Sequence, residues 1–232
     1  MKRDLLERLV AAQISNRPTV LARSLSGNSQ FLLDSGTDSE VPDGVPAEVL
    51  REARRALKRD GARTIEVAGQ RYLLQTLSPP PRLLVIGAVH IAQALIPMAR
   101  VAGYDVQLID PRAAFATRDR FPGIEIINQW PQEVMGELPL NSRTAVVTLS
   151  HDAKIDEPAL KAALESDAFY IGALGSKKNH AKRLQRLAAL GFDDETLARI
   201  AGPVGLPLGG RSPAEIAVSI LAQIIQSRYQ SS

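Results

Sequence analysis

The chain has 232 residues, 45% of them hydrophobic and 23% charged, which is enough apolar sequence for one large domain or a domain with a smaller companion. A formal charge of only +3 and an aromatic content of 4% argue against a nucleic-acid-binding surface, because such surfaces need clustered cations and stacking aromatics. The sequence contains no cysteine, which excludes disulfides, thiolate metal ligands, a cysteine nucleophile and a persulfide on this chain.

The first 78 residues predict a small α+β domain. Residues 1–13 mix acids with apolar positions and indicate an amphipathic helix rather than a signal peptide. Paired apolar runs around residues 26–29 and around Gly69-Gln70 predict two β-hairpins, and residues 45–60 between them predict a helix. No apolar run approaches the roughly 20 residues that a membrane span needs, so we expect a cytoplasmic protein without a membrane span.

The sequence SPPP at residues 78–81 marks a domain boundary, and the pattern changes there. The predicted strands that follow cover residues 82–86, 105–109, 124–127, 144–149 and 169–174. The predicted helices cover residues 90–103, 157–166, 177–190 and 212–229. Such alternation is typical of βαβ units, so we predict an α/β fold, a Rossmann-like, doubly wound parallel sheet over residues 82–232.

The turn after the first of these strands reads GAVHIAQAL and opens a helix. It matches the dinucleotide-binding pattern G-x-G-x-x-A at Gly87 and Ala92, but Val89 replaces the middle glycine, which normally lets the backbone approach a pyrophosphate. We interpret the turn as a candidate anion-binding site, because its N–H groups begin a helix. Its candidate residues are Gly87, Ala88, Val89 and His90. The alternative is a tight structural turn with a surface histidine.

The end of the second strand offers a candidate contact for a ribose or a phosphate. Asp110 follows Gly87 at close to the roughly 20-residue offset at which an acid meets a ribose hydroxyl. Arg112 adds a guanidinium that can bind a phosphate through two hydrogen bonds. The alternative is that Asp110 caps a helix and Arg112 is solvated.

Reactive side chains are densest after the fourth strand, where Ser150, His151, Asp152 and Lys154 follow one another closely. His151 can exchange protons near neutral pH, Asp152 can orient it or bind a ribose or pterin N–H group, and Lys154 can neutralise a phosphate. The chain has no G-x-S-x-G elbow, which disfavours a serine hydrolase. The alternative is a polar loop in which Asp156 caps the next helix.

Two glycine-containing loops complete the candidate site. The residues around the end of the fifth strand suit an anion held by N–H groups and a cation, and they are Gly172, Gly175, Ser176 and Lys177. The basic residues farther along the next helix, including Arg183, are interpreted as a solvated face. The last loop contributes Gly205 and Arg211, and the sequence SPAE at residues 212–215 predicts a capping box that opens the final helix.

The three histidines of the chain, at positions 90, 151 and 180, lie in or beside these loops. No pair of them has the i, i+4 spacing of a helical metal site, so we predict no metal site. No residue is assigned a catalytic role.

Five segments together resemble the Rossmann domain of the XdhC/CoxI family. Members of this family are accessory proteins of xanthine dehydrogenase and carbon monoxide dehydrogenase. The five segments occur in the family's order over residues 82 to about 225 and read GAVHIAQAL, IDPRAAFATRDRFPG, LSHDAKIDEPAL, FYIGALGSKKNHAKRL and GPVGLPLGGRSPAEIAVSILA. The first two are most similar to the CoxF-like branch, associated with carbon monoxide dehydrogenase-type enzymes. Val89 fits that branch, whereas most of the larger family reads G-A-G-H at this turn.

The resemblance implies a maturation factor of molybdenum hydroxylases, more a cofactor carrier than an enzyme. It implies binding of the molybdenum cofactor, a pterin with a phosphate (molybdopterin, also in its cytosine dinucleotide form), protection during sulfuration, and insertion into the apoenzyme. The implied partners are the molybdenum hydroxylase apoenzyme, a cysteine desulfurase or second accessory protein, and a second copy of the chain in a homodimer. Longer relatives carry G-S-S-P-like and G-G-C-like motifs before the Rossmann domain, and this sequence has neither.

Two other functions stay open on the sequence alone. An NAD(P)-dependent oxidoreductase would bind the nicotinamide dinucleotide at Gly87 and Asp110 and use His151 as a proton donor. Val89 and the lack of a recognisable substrate domain disfavour that function. A non-catalytic nucleotide-binding scaffold would lack affinity for a pterin and would bind a partner protein tightly.

Overall fold

The computed structural model of the chain describes residues 3–14, 17–27, 29–34, 44–57 and 61–230. The chain forms two compact units, one that ends at Pro79 and one that begins at Pro80. Within the described ranges, no helix combines the length and the hydropathy that a membrane span requires.

The first unit is an antiparallel sheet with two helices. Its elements are α1 (Arg3–Ile14), β1 (Thr19–Ser24), β2 (Gln30–Asp34), α2 (Ala47–Ala56), β3 (Gly61–Val67) and β4 (Gln70–Leu77), and the strand order is β2-β1-β4-β3. The buried face of α2 and alternate residues of the strands share one apolar core, which includes Val20, Phe31, Val49, Ala53 and Leu74. Both predicted hairpins are confirmed by the antiparallel pairing of β1 with β2 and of β3 with β4.

The second hairpin and α2 differ in detail from the prediction. The two-residue turn of the hairpin is Ala68-Gly69, with φ angles of +51° and +73°, because Gln70 already pairs with Val67. Two consecutive positive φ angles give a turn whose twist matches that of the strands, so the predicted turn at Gly69-Gln70 is wrong by one residue. The helix predicted over residues 45–60 ends at Ala56. Residues 1–2, 28 and 58–60 of these predictions lie outside the described residues.

The second unit is a six-stranded parallel sheet with helices on both faces, in the order β10-β9-β8-β5-β6-β7. Its strands are β5 (Arg82–Ile86), β6 (Asp105–Ile109), β7 (Glu125–Ile127), β8 (Thr144–Thr148), β9 (Tyr170–Ala173) and β10 (Ile200–Ala201). Its helices are α3 (His90–Val101), α4 (Pro131–Val134), α5 (Ala153–Leu164), α6 (Lys177–Ala188), α7 (Asp194–Leu197) and α8 (Pro213–Gln230). The predicted Rossmann-like α/β fold is therefore confirmed.

Two apolar cores lie on the two faces of this sheet. Leu83 and Val85 of β5 pack against α3 and α8 on one face, and Leu84 and Ile86 pack on the α5 face. Alternate residues of a strand point to opposite faces, so a strand covered by helices on both sides needs apolar residues at every position. This requirement explains why the uninterrupted run LLVI predicted a central strand.

The sheet grows in opposite directions from its centre. From β5 the chain proceeds outward through β6 and β7, and from β8 it proceeds outward the other way through β9 and β10. The loops after β5 and β8 therefore lead to helices on opposite faces of the sheet. In open parallel sheets, ligands bind beyond the carboxyl ends of the strands at such a switch point.

Candidate functional site

The turn after β5 and the loop after β8 are in direct backbone contact at the switch point. Gly87 donates its N–H to the carbonyl of Ile109 at 2.9 Å and has a φ angle of +109°. A Cβ atom on Gly87 would lie 2.8 Å from the backbone nitrogen of Ser150. Glycine is therefore required here both by the backbone conformation and by the close approach of the neighbouring loop.

Val89 takes the place of the usual middle glycine without backbone strain. Its φ angle is −94°, which any residue adopts, and it forms the N-cap position of α3. Its half-buried side chain packs against the core between the sheet, α3 and α8. His90 is the first residue of α3 and is exposed. The turn thus keeps the helix beginning of a nucleotide-binding turn while carrying a packed side chain at the middle position.

Asp110 is fully buried, and the chain itself fills the acceptor positions of its carboxylate. Oδ1 accepts from the backbone N–H and from Nε of Arg112, both at 2.9 Å, and Oδ2 accepts from the N–H of Ala88 and from Nη2 of Arg112, both at 2.7 Å. Burial alone would raise the pKa of Asp110, but these hydrogen bonds outweigh it and the pKa lies below its ordinary value.

The structure therefore corrects both sequence interpretations of Asp110. A carboxylate has about four acceptor positions, and with all of them in use Asp110 has none left for a ribose hydroxyl. Nor does it cap a helix. Its role is to tie the loop after β6 to the turn after β5. Arg112, with 36% of its side chain exposed, remains the surface cation of this pair.

The loop after β8 is held by Asp156, which the sequence suggested only as a helix cap. Oδ1 of Asp156 accepts from the hydroxyl of Ser150 at 2.6 Å and from its N–H at 3.3 Å. The cap of α5 is instead Asp152, whose Oδ1 accepts from the N–H of Lys154 at 2.9 Å. Asp152 thus has a structural role. The side chains of His151, at φ +64°, Asp152 and Lys154 are all exposed in this loop.

Asp156 faces a buried arginine of α6. Nη2 of Arg183 lies 3.9 Å from Oδ2 of Asp156 and donates to the carbonyl of Leu174 at 2.8 Å. Burial raises the pKa of Asp156 and lowers the pKa of Arg183, so in both groups desolvation outweighs the mutual attraction. The expectation that Arg183 belongs to a solvated face is wrong, because its side chain is only 6% exposed.

These contacts join four neighbouring strands at their carboxyl ends, and we call them the edge network. They run from Arg112 through Asp110 to the Gly87-Ala88 turn, across to Ser150, and on through Asp156 and Arg183 to Leu174. The network thus links the loops after β6, β5, β8 and β9 in the order of the strands in the sheet.

The loop after β9 contains three of the predicted residues, but the fourth lies within the strand. Gly172 is buried in β9, where a Cβ atom would lie 2.6 Å from Val204, so its role is packing rather than anion binding. Gly175 has a φ angle of +143°, and Ser176 caps α6 by accepting from the N–H of Asn179. Lys177 is exposed at the start of α6.

The last loop packs onto α8. Gly205 donates its N–H to Oε1 of Gln223 at 2.7 Å, and the N–H of Arg211 donates to Oε2 of Glu215 at 3.0 Å. The predicted capping box is confirmed, because Glu215 also accepts from the N–H of Ser212 while its own N–H donates to the Ser212 hydroxyl. The hydrogen bonds described for Gly205 and Arg211 thus go to α8 and not to the edge network.

The sequence does contain a signal for the two buried charged residues of the edge network, because each stands on the apolar face of its helix. Asp156 stands one position after Ile155 and three before Ala159, and Arg183 stands four before Leu187, so each occupies an apolar helix face. A charged residue on such a face needs a buried partner.

Among the described residues, no three histidine or carboxylate side chains are grouped as a metal ion would require.

A parallel sheet with a switch-point crevice and a glycine turn that opens a helix defines a Rossmann-type domain. Residues 83–224 match the family model of the XdhC Rossmann domain, and the chain belongs to this family. The family predicted from the five sequence segments is thus confirmed.

The chain is similar to longer proteins of known name. It is 33% identical over 150 residues to the molybdenum cofactor insertion chaperone PaoD of Escherichia coli K12, covering 65% of this chain and 41% of PaoD. It is 32% identical over 204 residues to a probable xanthine dehydrogenase subunit of Bacillus subtilis 168, covering 88% of this chain and 58% of the relative. The chain therefore spans about half the length of these relatives.

The fold is shared with a crystal structure from Bacillus halodurans that is described as a xanthine dehydrogenase. The TM-score is 0.60 at 18% identity, with 99% of this chain and 96% of that chain covered. At this identity the similarity establishes the fold.

Proposed function

We propose that this chain binds the molybdenum cofactor and delivers it to the apoenzyme of a molybdenum hydroxylase of the xanthine dehydrogenase or carbon monoxide dehydrogenase type. The names of the two relatives support this proposal, since one is a cofactor insertion chaperone and the other a probable subunit of xanthine dehydrogenase. The observation that carries it is the edge network, which fixes several loops, our candidates for anion binding, along one edge of the sheet around the switch point.

The cofactor combines a phosphate or a dinucleotide with a pterin, and the edge offers groups suited to each part. The helix beginnings at residues 87–90 and 175–177 would hold phosphates with backbone N–H groups. Arg112 would contact a phosphate or pyrophosphate from its exposed side. His151 and Lys154 would face the pterin or the metal. Contributions of Asp110 and Gly172 are indirect in this proposal, because the carboxylate of Asp110 and the space at Gly172 are occupied within the protein. Asp152 caps α5 through Oδ1, and its exposed side chain would face the pterin beside His151.

In this proposal the chain holds and delivers the cofactor but does not itself add the sulfur to it. The chain has no cysteine to carry sulfur, so a cysteine desulfurase or a second accessory protein would have to supply it. We also propose the cytosine dinucleotide form of the cofactor as a ligand and a homodimer as the working state.

The function is tested by titrating the purified chain with molybdenum cofactor and, in parallel, with NADH and NADPH. We expect micromolar or tighter cofactor binding and no saturable nicotinamide binding. Replacing Lys154 with alanine should weaken cofactor binding, whereas Lys161→Ala, an exposed lysine farther along α5, should not. Tight nicotinamide binding without cofactor binding would refute the proposal in favour of an oxidoreductase.

A further inference from the structure

A cavity of about 220 Å³ lies between the beginning of α5 and the side of α6 from Asn179 to Arg186. It is lined by His151, Ala153, Asp156, Glu157, Asn179, Lys182, Arg183 and Arg186. Of these, only His151 belongs to the candidate residues predicted from the sequence. His151 therefore connects the cavity with the exposed loop at the carboxyl edge of the sheet.

Two buried polar groups of this cavity lack hydrogen bonds within the described structure. Oδ2 of Asp156 and Nη1 of Arg183 accept or donate no hydrogen bond, although the side chains are only 2% and 6% exposed. The two residues approach to 3.9 Å, which is too long for a hydrogen bond. Native proteins leave few buried polar groups unpaired, and each such group calls for a partner, either a bound water or a ligand.

The charges of the two groups restrict the chemistry of that partner. An anion would satisfy Arg183 and repel Asp156, and a cation would do the reverse. Glu157 already pairs with Arg186, with Nε and Oε1 at 2.5 Å, so the exposed Lys182 is the lining cation that remains to attract an anion. A neutral group that presents a hydrogen-bond donor beside an acceptor satisfies both residues at once.

The volume restricts the size of the partner. Pockets for drug-sized ligands enclose about 300–1,000 Å³, and this cavity is smaller. It therefore suits one ring system at the end of a larger ligand, with the rest of the ligand extending past His151 to the carboxyl edge.

We propose that this cavity receives the pterin end of the cofactor, with Asp156 accepting from the ring and exocyclic N–H groups and Arg183 donating to the ring carbonyl. The inference rests on the proposed function and deepens it. The amino-oxo-pyrimidine edge of a pterin carries donors and an acceptor side by side, which is the arrangement that Asp156 and Arg183 require. The phosphate of the same ligand would then lie at the helix beginnings of the edge.

The first test compares two small ligands on the unaltered full chain. Free pterin is titrated against lumazine, in which a carbonyl replaces the exocyclic amino group, and the intrinsic fluorescence of each ligand reports binding. We expect pterin to bind about tenfold or more tightly than lumazine, because lumazine turns a donor to the carboxylate into an acceptor. Equal binding of the two ligands, or no saturable binding of pterin, would overturn the assignment.

The second test uses matched variants and the whole cofactor. Asp156→Asn should reduce pterin affinity about tenfold, and Glu165→Gln, an exposed acid after the other end of α5, should leave it unchanged. If the unaltered chain binds cofactor but does not prefer pterin to lumazine, the cavity assignment fails and the proposed function stands. If the unaltered chain does not bind cofactor, the proposed function fails and the cavity assignment fails with it.

Discussion

Replacement of Gly87 by alanine should strongly destabilise the second unit, because two separate costs coincide there. Holding a non-glycine residue at φ +109° costs about 1–3 kcal/mol. A Cβ atom 2.8 Å from the nitrogen of Ser150 meets backbone, which cannot rotate away, and such overpacking costs about 1–3 kcal/mol. Alanine also restricts the unfolded chain more than glycine does, which offsets about 0.4–1 kcal/mol of this cost. The net destabilisation is therefore about 3 kcal/mol.

The assay is urea denaturation followed by the fluorescence of Trp130, the single tryptophan of the chain, which lies in the second unit. Gly103→Ala is the matched control, since Gly103 has a φ angle of +85° but nothing within 4 Å of a Cβ atom. We expect the control to lose about 1 kcal/mol, from backbone strain alone. If Gly87→Ala loses no more than Gly103→Ala, the loops after β5 and β8 are not in contact and the edge network is refuted.

Three further substitutions test single contacts by the same measurement. Asp110→Asn should cost about 3 kcal/mol at neutral pH, because an amide turns a donor toward Ala88 or Arg112. Because the pKa of Asp110 is lowered in the folded protein, its carboxylate stabilises the fold at pH values above the ordinary pKa, and this stability is lost as the pH falls through the folded pKa. The stability of Asp110→Asn should therefore depend less on pH in that acid range. Asp152→Ala should cost about 1 kcal/mol as a lost helix cap, and an unchanged stability would contradict that role. Tyr170→Phe should also cost about 1 kcal/mol, since its hydroxyl donates to Gln223 at 2.6 Å, and a larger loss would mean that the ring has moved.

The sequence was sufficient for five of the six strands of the parallel sheet, four of which are almost wholly buried. These five strands occur within one residue of their predicted ends, and the most apolar of them, β5 and β8, match the continuous runs that a sheet covered on both faces requires. The elements that were missed, α4, α7 and β10, have four residues or fewer and show no periodicity. α5 begins four residues before its predicted start because Asp152, not Asp156, caps it.

The candidate site was harder to predict, because a residue type does not reveal which partner its side chain meets. The sequence located the loops after β5, β6, β8 and β9, and the edge network joins all four. It did not reveal that the carboxylate of Asp110 is saturated, since that depends on Arg112 folding back onto its own loop. Asp156 and Arg183 come together only in the tertiary structure, 27 positions apart, although each interrupts an apolar helix face.

The saturation of Asp110 means that contacts within the chain hold the turn at Gly87 in place without a ligand. A loop that is preorganised in this way loses no conformational freedom when a ligand docks, so the affinity of the ligand is not reduced by an ordering cost. The same rigidity means that departure of the ligand requires no refolding of the turn. If the chain carries a cofactor, transfer would then depend on the affinity of the receiving protein for that cofactor rather than on a conformational change in the carrier.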